Sequence, residues 1–76
     1  MNSETLEFFK ELYTGYKQYG YKFSFVYSTD QLEKLKQLKM LEYLEYNGYI
    51  ILTSNSIGCR GIEFTDYGLN YIENLI

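Results

Sequence analysis

Apolar residues along this chain change their period repeatedly, and each change marks an expected element. Leu6, Phe9, Leu12 (or Tyr13) and Tyr16 recur at helical spacing and predict a first helix from Glu4 to Gln18. Ser3 is placed to cap it, Glu4 suits the positive end of its dipole, and Gly20 is a natural stop. Gly15 lies inside that pattern at a cost of about 1 kcal/mol against alanine, so the helix end is expected to fray. The period then drops to two. In "YKFSFVYS", Tyr21, Phe23, Phe25 and Tyr27 alternate with Lys22, Ser24 and Val26, the pattern of a half-buried strand.

Ser28, Thr29 or Asp30 follows as an N-cap for "DQLEKLKQLKMLEYLEY", a run free of Gly and Pro. Its leucines, Leu32, Leu35, Leu38, Leu41 and Leu44, fall every third residue. At about 100° per residue such a repeat drifts around a helix instead of forming one stripe. Residues 30–47 are therefore either one long helix packed on several sides or a compact helix–turn–helix with a turn near Lys36–Leu38. Asn47-Gly48 ends the region, with Gly48 as a left-handed C′ residue. Tyr49 to Thr53 then read as a strand with Ile50 and Leu52 inward, and Ser54 to Gly61 as a polar loop. Ile62 and Phe64, alternating with Glu63, form the returning strand of a hairpin longer than the tight two-residue type. Thr65 or Asp66 caps a last helix, "DYGLNYIENLI".

The expected fold class is α+β: a single small domain over residues 1–76, ordered helix, short strand, helical region, two-stranded hairpin and C-terminal helix. The back half, "LEYLEYNGYIILTSNSIGCRGIEFTDYGLNYIENL" from Leu41, resembles winged helix domains of the bacterial and archaeal regulator kind. The residues that carry the resemblance are Leu44, Glu45, Gly48, Tyr49 and Ile50, then Ile62, Phe64, Thr65 and Gly68. It implies a recognition helix ending at Gly48, a β wing, and a closing helix that Gly68 lets approach the sheet. The segment between Ser28 and Gly48 is shorter than a helix–turn–helix pair usually takes.

Composition narrows the function. The chain has 76 residues, 46% of them hydrophobic and 22% charged, which are globular values. So short a chain buries a small core, and a homodimer joined through the apolar first and last helices is expected. No apolar run reaches the length of a membrane span and no leader pattern opens the chain, so a cytoplasmic protein is expected. The single cysteine, Cys59, fits a reducing compartment and lacks partners for a metal or redox role. There is no histidine, and Glu42 and Glu45 have no partner motif for acid–base work, so no enzyme and no cofactor are expected. Gly58-Cys59-Arg60-Gly61 is too short for a phosphate loop.

Ten tyrosines could mark a binding surface or merely AT-rich codons. The net charge of −3 means that nucleic-acid binding would need the seven cations gathered on one face. Lys36, Lys39 and Tyr43 lie within roughly 60° on one face of the second helix. The resemblance implies that this face enters the major groove of double-stranded DNA, the lysines on phosphate or guanine and the tyrosine on phosphate or sugar. It implies a minor-groove or phosphate contact for Arg60, near the hairpin tip with Ser54, Asn55 and Ser56. The plain alternatives are a solvated lysine face and an ordinary loop arginine. The leading expectation is a DNA-binding transcriptional regulator or accessory factor. The other is an acidic protein-interaction module of the same fold, such as a phage- or plasmid-type inhibitor or adaptor.

Overall fold

A computed structural model describes every residue, Met1–Ile76. In chain order it contains α1 (Ser3–Tyr19), β1 (Lys22–Val26), α2 (Gln31–Tyr46), β2 (Ile50–Ser56), β3 (Cys59–Phe64) and α3 (Asp66–Glu73). This is the α+β layout expected, with the three strands joined in one antiparallel sheet of order β1-β3-β2. No helix is long and apolar enough to cross a membrane.

α1 starts one residue earlier than expected and ends one residue later. Its cap is Asn2, not Ser3: the Asn2 side chain accepts a hydrogen bond from the Thr5 amide at 2.8 Å. Gly15 does not fray the helix. A Cβ there would meet the Phe23 ring at 2.7 Å, so the glycine lets β1 lie close against α1. Phe8, Phe9 and Leu12 of α1 fill the core between Leu41 and Leu44 of α2, Ile50, Ile62 and Phe64 of the sheet, and Ile72 of α3. Phe9 is fully buried, its ring centroid 5.6 Å from Phe64 and 5.5 Å from Tyr49. In β1, Phe23 and Phe25 face the core as the alternation implies, whereas Tyr21 lies exposed outside the strand.

Residues 31–46 form one helix. Asp30 is its cap, accepting from the Glu33 amide at 2.9 Å. The drift of its leucines has a simple outcome: Leu41 and Leu44 are buried, while Leu32 and Leu35 stand in solvent. The Gln37 carboxamide accepts from the Ser28 amide at 2.8 Å and fixes how the chain leaves β1 for α2.

The hairpin is tighter than expected. β2 runs on through Ser54, Asn55 and Ser56, β3 begins at Cys59, and the turn is only Ile57-Gly58, with Gly58 at φ 80°. These residues are exposed or half-buried, so their polarity reflects solvation, not an absence of pairing. An irregularity between Leu52 and Asn55 shifts the register, and beyond it Asn55 stands opposite Arg60.

Thr65 ties the two ends of the fold together. Its hydroxyl caps α3 by accepting from the Gly68 amide at 2.9 Å. The same oxygen lies 2.7 Å from the Gly48 carbonyl and 3.0 Å from the Tyr49 carbonyl, where its one proton is donated. Gly48 at φ 80° makes the sharp exit from α2 that brings those carbonyls there.

Tyr49, Tyr67 and Tyr71 pack together, Tyr49 stacking on Tyr67 at 5.2 Å with the rings nearly parallel. Burial first, then the neighbouring Tyr67 and Tyr71 phenols, push the Tyr49 hydroxyl up from 10.0 to about 12. Tyr13 is raised too, first by the hydrogen bond it donates to the Glu73 carboxylate at 2.9 Å, which joins α1 to α3. A phenol whose pKa is raised by folding adds stability that is complete below its unfolded value. That stability is lost as pH climbs through the folded value. Ultraviolet titration should therefore show Tyr49 ionising late, beyond 10.0 and towards about 12. Urea stability should fall across that same interval, more steeply in the wild type than in Tyr49→Phe.

Candidate nucleic-acid interface

Burial of Met40, Leu41 and Leu44 fixes the rotation of α2, and that rotation decides where its lysines go. Lys34 and Lys36 are only two positions apart in sequence but about 160° apart around the helix. Lys34 falls on the side of the hairpin, and Lys36 on the side of the α1 N-terminus.

Lys36, Lys39 and Tyr43 do sit together, beside Asn2 and Glu4 at the start of α1. There the Lys36 Nζ pairs with the Glu4 carboxylate at 3.8 Å, with both side chains largely exposed. Such a pair contributes little stability, yet it offsets the positive charge locally. A neighbouring groove between α1 and α2 is lined by Glu4, Glu7, Glu11 and Glu33, which weakens the positive field of this patch further.

Asn55 and Arg60 belong to a different place. They stand opposite each other on β2 and β3, and Arg60 also faces Phe25 of β1, on the side of the sheet that covers the core. Together with Tyr27, Lys34, Leu38 and Ser56 they line an open groove of about 490 Å³ between α2 and the hairpin. No carboxylate lines it. Lys34 stacks its ammonium over the Tyr27 ring at 5.7 Å, and neither Lys34 nor Arg60 is in a salt bridge. The Arg60 Nε is buried without a hydrogen-bond partner. Burial raises the Tyr27 phenol, and the adjacent Arg60 charge partly opposes that shift.

The five residues expected from the sequence thus divide into Lys36, Lys39 and Tyr43 on one flank of α2 and Asn55 and Arg60 on the other. Lys34 and Tyr27 complete the second group. The spacing does not mark Lys34, because it shares no side of the helix with Lys36 and Lys39. The interleaving of Tyr27 just before the α2 cap was the available signal, since an aromatic there sits over the first turns of the helix.

Chemically, the groove offers one guanidinium, one ammonium, a carboxamide and the hydroxyls of Tyr27 and Ser56, all suited to oxyanion oxygens. At its rim Ile57 is fully exposed at the tip of the turn. Comparison of the chain with protein-family models, curated proteins and solved structures yields no match.

Proposed function

We propose that this chain is a small winged-helix-like DNA-binding protein of the cytoplasm, a transcriptional regulator or accessory factor, that grips the phosphate backbone in the groove between α2 and the hairpin. The observation that carries the reading is the acid-free lining of that groove, with Lys34 and Arg60 both free of salt bridges in a chain of net charge −3. Non-specific DNA affinity comes mainly from cations neutralising phosphates, so their local arrangement matters more than the net charge. Arg60 offers the terminal nitrogens of its guanidinium to one phosphate, and Lys34 offers a point charge to the same or the next one. Asn55 and Ser56 add hydrogen bonds to phosphate or sugar. Ile57 supplies an apolar tip of the kind that lies against the walls or steps of a minor groove. Lys36, Lys39 and Tyr43, set on the other flank beside Glu4, take a lesser part than the resemblance implies.

Fluorescence anisotropy with random-sequence duplex DNA tests the proposal. Binding at low salt that falls steeply towards physiological ionic strength is the expected result. Absence of binding even at low salt would remove the reading, because specific binders also keep a non-specific electrostatic mode. The acidic flank formed by Glu4, Glu7, Glu11 and Glu33 favours the second reading in that event. The chain would then be an interaction module, of inhibitor or adaptor type, for a protein with a basic surface.

A further inference from the structure

We infer that the outward face of α2 is a self-association surface whose occupant is the α2 of a second copy running antiparallel. This rests on the stripe itself and not on the DNA reading, and it puts the contact on α2 instead of the first and last helices expected from the sequence. The side of α2 opposite its buried residues carries Leu32, Leu35, Lys39, Glu42 and Tyr46, successive intervals of three, four, three and four residues. That alternation is the spacing of a seam between two helices. Leu32 is 73% exposed, Leu35 53% and Tyr46 91%, with Tyr43 at 41% along the margin. Leu and Tyr side chains so placed on a helix whose other face already fills the core are unpaired apolar surface.

Charge decides which helix covers them. In a parallel pair the same positions meet, so Lys39 would face Lys39 and Glu42 would face Glu42. In an antiparallel pair centred between Met40 and Leu41, Leu35 meets the partner's Tyr46 and Lys39 meets the partner's Glu42. Two-fold symmetry makes each of these contacts twice, as an isologous interface requires. From Leu35 to Tyr46 the stripe is complementary to its own reverse, while Leu32 projects past the end of the partner's α2.

Its extent is modest. The exposed side chains supply roughly half of the ~800 Å² per partner of a standard interface, which places the contact among the weak, reversible ones. Lys34 lies about 120° around α2 from the middle of the seam. The groove with Arg60 therefore stays open in each protomer, while Lys39 is given to the partner copy.

Sedimentation of the full chain across a concentration series tests this, because Lys39 and Glu42 both lie outside the core and their reversal leaves it alone. Wild type should pass from monomer to dimer. Lys39→Glu and Glu42→Lys should each weaken the dimer at least tenfold, since each turns both ion pairs into like-charge contacts. An equimolar mixture of the two variants should dimerise again. In the mixed pair the introduced glutamate of one chain meets the introduced lysine of the other on one side of the axis, and the native Lys39 and Glu42 meet on the other side. A wild type that stays monomeric, variants that dimerise as well as wild type, or a mixture that fails to recover would each overturn the assignment.

Discussion

Replacing Gly68 with alanine is expected to lower the melting temperature by about 15 °C, which corresponds to roughly 3 kcal/mol in a domain of this size. The added methyl would sit inside the van der Waals radius of the Tyr49 carbonyl oxygen, 2.8 Å from the Tyr49 carbonyl carbon and 3.0 Å from its Cα. These are backbone atoms of the residue just before β2, so no side chain can swing aside. Relief requires α3 to withdraw, and withdrawal disrupts the Thr65 cap together with its bonds to the Gly48 and Tyr49 carbonyls. It also uncovers Ile72, which is fully buried. A small domain has a total stability of about 5 to 10 kcal/mol, so this is a large share of it. Gly48→Ala is the informative contrast: a Cβ there meets nothing within 4 Å, and only left-handed backbone strain of about 1–2 kcal/mol is expected. Circular dichroism melts in which Gly68→Ala matches wild type would mean that α3 does not dock on Tyr49 as described.

The second large effect belongs to the groove. Lys34→Ala combined with Arg60→Ala should weaken binding to random duplex by about 100-fold near physiological salt, each charge-assisted contact contributing about 1.5 kcal/mol. The slope of log affinity against log salt should flatten by about 1.8, because each lost phosphate contact accounts for about 0.9. Arg60→Lys separates charge from shape: it should keep the slope yet lose part of the affinity, since an ammonium cannot present the planar fork. Lys36→Ala is the matching control on the other flank, where Glu4 already offsets Lys36 and the proposed dimer seam is left intact. If that variant proves the more damaging, the DNA contact lies on the face implied by the resemblance and not in the groove.

How much of this was legible in the sequence depended on whether an element's signal was local. The helix formers and caps of α1, α2 and α3 are local, and their limits came out within a few residues. Thr65 and Gly68 were legible for the same reason: a cap and a close-approach glycine three residues apart leave a recognisable trace. The hairpin turn was not, because Ser54, Asn55 and Ser56 carry a loop's composition while their backbones pair across to β3. Pairing of that kind depends on main-chain donors and a partner strand, which side-chain polarity does not report. Gly15 looked like a weakness because its reason, the Phe23 ring, arrives from another element. The leucines of α2 left two readings open until the core selected Leu41 and Leu44. The same selection moved the functional weight from Lys36 to Lys34, a step that needs the rotation of the helix and not only its spacing.

The contact between Glu45 and β2 has a consequence for the molecule in a crowded solution. The Glu45 carboxylate reaches over from α2 and accepts from the Leu52 amide at 3.3 Å, on β2, one of the two strands that border the sheet. A bordering strand with open amides is a template on which further chains can add. Here one of those donors is already taken, by a group whose negative charge also repels the like-charged edge of an approaching copy. A residue at the helix end that the resemblance singled out thus makes the β2 edge a poorer template for a further strand, quite apart from the face of α2.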